Sequence, residues 1–124
     1  MEKKALIIEN DATIRECIEV MLESEGLEVV SARDGQTGLE LTRRHRPDLI
    51  VSDLYLAGIS GIDVFEALQA DPEIGHIPFL FISADSRESI RARCLGLGAD
   101  GFLLKPFTFD QLLEATRALL AVER

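Results

Sequence analysis

The sequence predicts a doubly wound α/β domain, with five parallel strands in the order 2-1-3-4-5 and helices on both faces of the sheet. Three observations predict it. Short apolar runs bounded by breakers alternate strictly with stretches of helical periodicity, and such alternation builds a parallel sheet with right-handed crossovers. The first, third and fourth runs (Ala5-Leu6-Ile7-Ile8, Leu49-Ile50-Val51 and Phe79-Leu80-Phe81-Ile82) are the most apolar. They therefore belong at the centre, covered on both faces. Polar or charged residues then close the first, third and fourth runs and follow the fifth, at the sheet edge where open α/β folds bind ligands.

Lys3 and Lys4 lead into the first strand, which Glu9-Asn10-Asp11 ends. Thr13-Ile14-Arg15-Glu16 has the spacing of a capping box. Ile14, Cys17, Ile18, Met21 and Leu22 then share one face of the first helix. Gly26 stops that helix in the manner of a left-handed cap. Leu27 to Ser31 forms the second strand, polar enough for a sheet edge. Asp34-Gly35 turns the chain into a helix from Gln36 to His45, whose apolar face, Leu39 and Leu41, is thin.

Pro47 and Asp48 break that helix before the third strand, which ends in Asp53 and a loop holding Gly58 and Gly61. Ser60-Gly61-Ile62-Asp63 opens the third helix, with Ile62, Phe65 and Leu68 inward, and Asp71-Pro72 closes it. Pro78 starts the fourth strand, which ends at Ser83-Ala84. The fourth helix begins near Asp85 or Ser86 and turns Ile90, Cys94 and Leu97 inward. Gly96, Gly98 and Gly101 surround its end and the start of the fifth strand, Phe102-Leu103-Leu104. After Lys105-Pro106, Thr108-Phe109-Asp110-Gln111 makes a second capping box, with Phe107 and Leu112 as its hydrophobic staple. Phe109, Leu112, Leu113, Thr116 and Leu120 form the inner face of the last helix.

Composition narrows the function. The 124 residues suit one domain, and 13 basic against 22 acidic residues give a net charge of −9. Such a surface disfavours a nucleic-acid backbone and favours a cation or a basic partner, although solubility is an equally good reason for it. There is no signal-peptide pattern and no membrane-spanning apolar run, so the expected location is cytoplasmic, with no membrane partner. Cys17 and Cys94 fall on apolar helix positions and read as core thiols. His45 and His76 read as surface side chains, and Phe79 and Phe81 as core.

The predicted topology gathers Glu9, Asn10 and Asp11, Asp53, Ser83 and Lys105 at successive strand ends, with strands 1 and 3 flanking the switch point. Two or three carboxylates beside one amide form a hard oxygen site suited to Mg²⁺. Without a cation, such carboxylates raise each other's pKa values. A hydroxyl and an ammonium opposite them can hold phosphoryl oxygens.

The segments ALIIEND, PDLIVSDLYLAGISG, FLFISA and GADGFLLKPF together resemble the receiver domain of two-component response regulators, the CheY-like superfamily of flavodoxin-like (βα)5 fold, across nearly the whole chain. The resemblance implies that Asp53 accepts a phosphoryl group from a histidine kinase or a phosphotransfer protein. It implies a Mg²⁺ site at Glu9, Asn10, Asp53 and the backbone carbonyl of Tyr55. Lys105 would pair with the phosphoryl group, Ser83 would be the switch hydroxyl and Phe102 the switch aromatic, and the Lys105-Pro106 bond is typically cis in this family. The implied protein is a switch whose catalysis is confined to its own phosphorylation and dephosphorylation. It signals through the face of the fourth helix, fifth strand and fifth helix to a downstream protein, to an output domain missing from the chain, or to a phosphorylation-dependent second copy. Residues 1–124 are expected to form the receiver with no output domain.

Two departures stand out. Asn10 occupies the place of a common second acid, which implies weaker Mg²⁺ binding; Asp11 either compensates or caps the first helix. Ala57-Gly58 stands where Pro-Gly is frequent, which removes a loop restraint. Rival readings fit less well. An Asp-nucleophile phosphatase calls for a second Asp where Tyr55 stands, and Glu9-Asn10-Asp11-Ala12 would repel the phosphate of a flavodoxin-like cofactor. The remaining alternative is a pseudo-receiver, an interaction module not regulated by phosphorylation.

Overall fold

The computed structural model describes residues 2–121. Five strands alternate with five helices: β1 (Lys4–Ile8), α1 (Ala12–Glu23), β2 (Glu28–Ala32), α2 (Gly35–His45), β3 (Leu49–Asp53), α3 (Gly61–Gln69), β4 (Phe79–Ser83), α4 (Glu88–Gly96), β5 (Gly101–Leu104) and α5 (Phe109–Leu120). The strands form one sheet in the order β2-β1-β3-β4-β5, every pairing parallel. The predicted fold and strand order are those observed. No helix among the described residues is long and apolar enough to cross a membrane.

Successive strand residues face opposite sides of a sheet, and this divides the core in two. Leu6, Ile8, Ile50, Phe79 and Phe81 project to one side, where Leu39 of α2, Val64, Phe65 and Leu68 of α3 and Cys94 of α4 cover them. Ala5, Ile7, Leu49, Val51, Leu80 and Ile82 project to the other, against Ile18 and Leu22 of α1 and Leu112 of α5. Phe65 packs edge-on against Phe79 at 5.2 Å between ring centroids. Fully burying a side chain of this size contributes about 1.5–3 kcal/mol, so β3 and β4, buried along their whole length, anchor the sheet.

Four local expectations need correction. Asp11 caps α1 and accepts from the Ile14 N–H at 3.0 Å, so Thr13 lies inside the helix and its capping box does not form. A carboxylate one residue outside the helix reaches the orphan amides first. Cys17 is exposed, because the buried stripe of α1 narrows to Ile18 and Leu22, whereas Cys94 is a core thiol as expected. Helix α4 starts at Glu88 rather than near Asp85 or Ser86, the Asp85 carboxylate being engaged by Tyr55 and Arg87, and Leu97 is its exposed C-cap rather than an inward residue. Phe109 is also exposed at the first position of α5, and Phe107 takes the core contact instead.

The thin face of α2 has a physical explanation. Gly35, Gly38 and Thr42 are buried beside Leu39, so the helix lies close to the sheet. A Cβ on Gly38 would land on the side chain of Ile8. The polar Thr42 hydroxyl is satisfied by donating to the Gly38 carbonyl at 2.7 Å.

Candidate functional site

The carboxyl ends of β1 and β3 deliver two carboxylates to the seam between them. Glu9 follows β1 and is completely buried; its N–H donates to the Ala32 carbonyl of the neighbouring strand. Asp53 ends β3 and is nearly buried. Lys105, beyond β5, extends over both. Its Nζ lies 2.7 Å from Glu9 Oε1 and 3.0 Å from Asp53 Oδ2. The backbone holds Lys105 there, since its N–H donates to the Ser83 carbonyl at 2.7 Å and the Lys105-Pro106 bond is cis.

Each carboxylate has a second anchor. The Asp11 N–H donates to Glu9 Oε2 at 3.1 Å, and the Tyr55 N–H reaches Asp53 Oδ1 at 3.3 Å. Burial pushes the Glu9 carboxyl above its ordinary value, against the opposing pull of Lys105 and the Asp11 amide. Burial pulls the Lys105 ammonium down, but its hydrogen bonds to Glu9 and Asp53 outweigh that, and the net shift is upward. The centre is thus a buried ion cluster with one cation between two anions. Asp53 carries the less enclosed carboxylate of the two, with 9% of its side chain exposed against none for Glu9.

Glycine makes this geometry possible. A Cβ on Gly61 would collide with the carbonyl oxygen of Asp53 and crowd the Leu54 Cα at 3.0 Å. The loop returns so tightly that the Gly61 N–H donates to the Leu54 carbonyl at 2.9 Å. Gly58, at φ +78°, supplies the left-handed turn within it.

The sequence matches the response regulator receiver domain family over residues 5–117. The chain belongs to that family. Among curated proteins, this receiver is 30% identical to the polar-differentiation response regulator DivK of Brucella anthropi, over 97% of this chain and 98% of that one. It is 33% identical to the DNA-binding response regulator MtrA of Mycolicibacterium paratuberculosis over 97% of its own length, spanning about half (52%) of that protein. Among solved structures it superposes on a putative response regulator from Chloroflexus aurantiacus with a TM-score of 0.93 at 28% identity, covering 98% of this chain and 100% of that one. The non-phosphorylated HemR receiver domain from Leptospira biflexa gives a TM-score of 0.90 at 28% identity, over 99% of this chain and 98% of that one.

Of the residues singled out in the sequence of this receiver, Glu9, Asp53 and Lys105 converge directly, and the Tyr55 N–H, rather than its carbonyl, contacts Asp53. Ser83 is buried at the end of β4, and its Oγ accepts from the Asp85 N–H at 3.1 Å. Phe102 pairs with Phe81 across the β4–β5 ladder and packs, half-buried, against the larger core cluster. Asn10 is exposed beside Glu9. Asp11 turns away to cap α1, so two carboxylates rather than three meet at the seam. Among the described residues no group of three or more His, Cys, Asp or Glu side chains is arranged to hold a metal. His76 is exposed and His45 half-buried, one in the loop before β4 and the other in the last turn of α2.

Reading the sequence missed the side chains around the mouth. The Tyr55 hydroxyl donates to Asp85 Oδ2 at 2.5 Å, and Arg87 grips the same carboxylate from Nε at 3.0 Å and Nη2 at 2.7 Å. No spacing rule points to this trio, since 30 residues separate Tyr55 from Asp85.

Proposed function

We propose that this receiver is a phosphorylation switch in which Asp53 accepts a phosphoryl group from a histidine kinase or a histidine phosphotransfer protein. One observation carries the reading: Asp53 stands at a strand end with its carboxylate already ion-paired to Lys105 at 3.0 Å. In-line attack by an Asp53 oxygen forms the acyl–phosphate bond as the bond from phosphorus to the donor imidazole nitrogen breaks, and that nitrogen keeps the electron pair. Lys105 follows the negative charge from the carboxylate to the new phosphoryl oxygens.

The donor set suits a hard cation. Glu9 and Asp53 would contribute carboxylates, Asn10 an amide oxygen and Tyr55 a backbone carbonyl, the oxygen donors that Mg²⁺ prefers. When bound, Mg²⁺ neutralises negative charge on the transferring phosphoryl group. The buried Glu9 carboxylate, held above its ordinary pKa by desolvation, is a site that a cation would stabilise.

Downstream, the phosphoryl oxygens attract the Ser83 hydroxyl, and the half-buried Phe102 turns inward behind it. The face of α4, β5 and α5 then favours a second packing that a protein target reads. A second reading, a pseudo-receiver used for binding alone, draws on the two-carboxylate seam and the exposed Asn10. Intact mass after incubation with acetyl phosphate separates the two. A Mg²⁺-dependent gain of one phosphoryl group in the wild type, lost in Asp53→Asn, is the expected result. Full labelling of Asp53→Asn would overturn the assignment of the acceptor.

A further inference from the structure

Helix α4 is the least secured of the five. Its N-cap, Arg87, makes no side-chain cap hydrogen bond, and Cys94 is its single buried residue. What holds its start is a side-chain knot outside the helix. Asp85 accepts from the Arg87 backbone N–H at 3.1 Å, from Arg87 Nε and Nη2, and from the Tyr55 hydroxyl at 2.5 Å. These partners leave the Asp85 side chain 11% exposed although it sits on a surface loop. Arg87 Nη2 also lies 3.5 Å from the Tyr55 hydroxyl, so the three groups close on one another.

The knot connects two ends of the acceptor site. Tyr55 follows Asp53 by two residues, and its own N–H contacts the Asp53 carboxylate. Asp85 follows Ser83 by two residues, and its N–H donates to Ser83 Oγ. Any displacement of the Ser83 hydroxyl toward Asp53 must break or drag that Asp85 amide. Dragging Asp85 pulls its carboxylate off Tyr55 or carries Arg87, the N-cap of α4, along with it.

We propose that Tyr55, Asp85 and Arg87 form a latch that ties the acceptor loop to the start of α4 and holds the signalling face in its resting packing until Ser83 moves. The release step rests on the receiver reading above; the resting latch does not. A fork from arginine to carboxylate is the geometry in which a surface ion pair holds its shape. Tyr55 and Arg87 are thus positioning residues, acting on α4 through Asp85.

Hydrogen–deuterium exchange on the full chain tests this in two stages. Without any phosphodonor, Tyr55→Phe and Arg87→Ala are each expected to exchange several-fold faster than wild type across residues 85–91, with α5 unchanged. With acetyl phosphate and Mg²⁺, phosphorylated wild type, verified by intact mass, is expected to reach the Tyr55→Phe rate in that segment. Two resting variants indistinguishable from wild type would overturn the latch. So would a phosphorylated wild type whose segment exchanges as slowly as at rest. If wild type takes up no phosphoryl group, the receiver reading fails, and the resting comparison alone decides whether the latch exists.

Discussion

Glu9 and Lys105 stand 96 residues apart in the chain and meet at 2.7 Å, with the carboxylate completely buried. Removing the ammonium leaves two desolvated acids facing each other. Lys105→Met is expected to destabilise the fold at neutral pH by about 3 kcal/mol, the low end for breaking a buried pair. The sign with pH follows from Glu9. Its folded pKa is raised, so the folded state binds the proton more tightly, and this contribution is present below the ordinary value of 4.5 and lost as pH rises through the folded one. Lys105 pulls the Glu9 pKa down, so without it Glu9 takes up its proton more readily still, and the deficit of Lys105→Met should shrink as pH falls from neutrality toward the ordinary Glu range. Urea denaturation across that range checks it, and a deficit independent of pH would contradict it.

Gly61→Ala is expected to damage stability and acceptance together. The added Cβ meets the backbone of Asp53 and Leu54, which cannot yield as a flexible side chain would. Overpacking of this kind costs about 1–3 kcal/mol, against roughly 1 kcal/mol gained from the better helix former. The larger consequence is displacement of the acceptor strand end. Labelling by acetyl phosphate should slow even where circular dichroism reports a folded protein.

Asp34 offers a clean acid-side signature. As the N-cap of α2 it accepts from the Thr37 N–H at 2.8 Å and from the Thr37 hydroxyl at 3.1 Å, and these bonds hold its carboxyl below the usual 3.8. A depressed folded pKa means that the unfolded chain binds the proton more tightly. The stabilisation is thus present above 3.8 and lost as pH falls through the lower value. Asp34→Ala should cost about 1 kcal/mol near neutrality. The gap from wild type should narrow below about pH 4, as read from denaturation midpoints.

Asn10 bears on metal affinity directly. Replacing it by Asp adds one carboxylate beside Glu9 and should tighten Mg²⁺ binding several-fold, while Glu9→Gln should weaken it. The chain has one tyrosine, Tyr55, and no tryptophan. Its ultraviolet emission therefore reports from the acceptor loop during a Mg²⁺ titration, independently of phosphoryl transfer. Equal affinity in wild type and Asn10→Asp would remove residue 10 from the metal site.

Much of the fold was legible because the physics is local and periodic. The central strands announce themselves as apolar runs, and Thr108 with Gln111 forms the capping box that its spacing predicts. Strict alternation then leaves few topologies open, and the order 2-1-3-4-5 puts the apolar strands inside. Where two local signals competed, pattern reading failed. Asp11 and Thr13 both offered a cap for α1, and only the folded backbone brings Asp11 to the Ile14 amide. Phe107 and Phe109 both suited the core, and the path of the chain into α5 gives the place to Phe107.

The same division runs through the candidate site. The sequence by itself determined which chemical groups arrive at the carboxyl edge, because a residue at a strand end has its position set by the strand. Glu9, Asp53, Ser83 and Lys105 are such residues. Tertiary structure alone decided what lies between strand ends. It assigned Asp11 to a helix rather than the seam, and it closed Tyr55, Asp85 and Arg87 into one knot. Loop side chains have no period to read, and the contacts between them exist only after the sheet has brought their loops together.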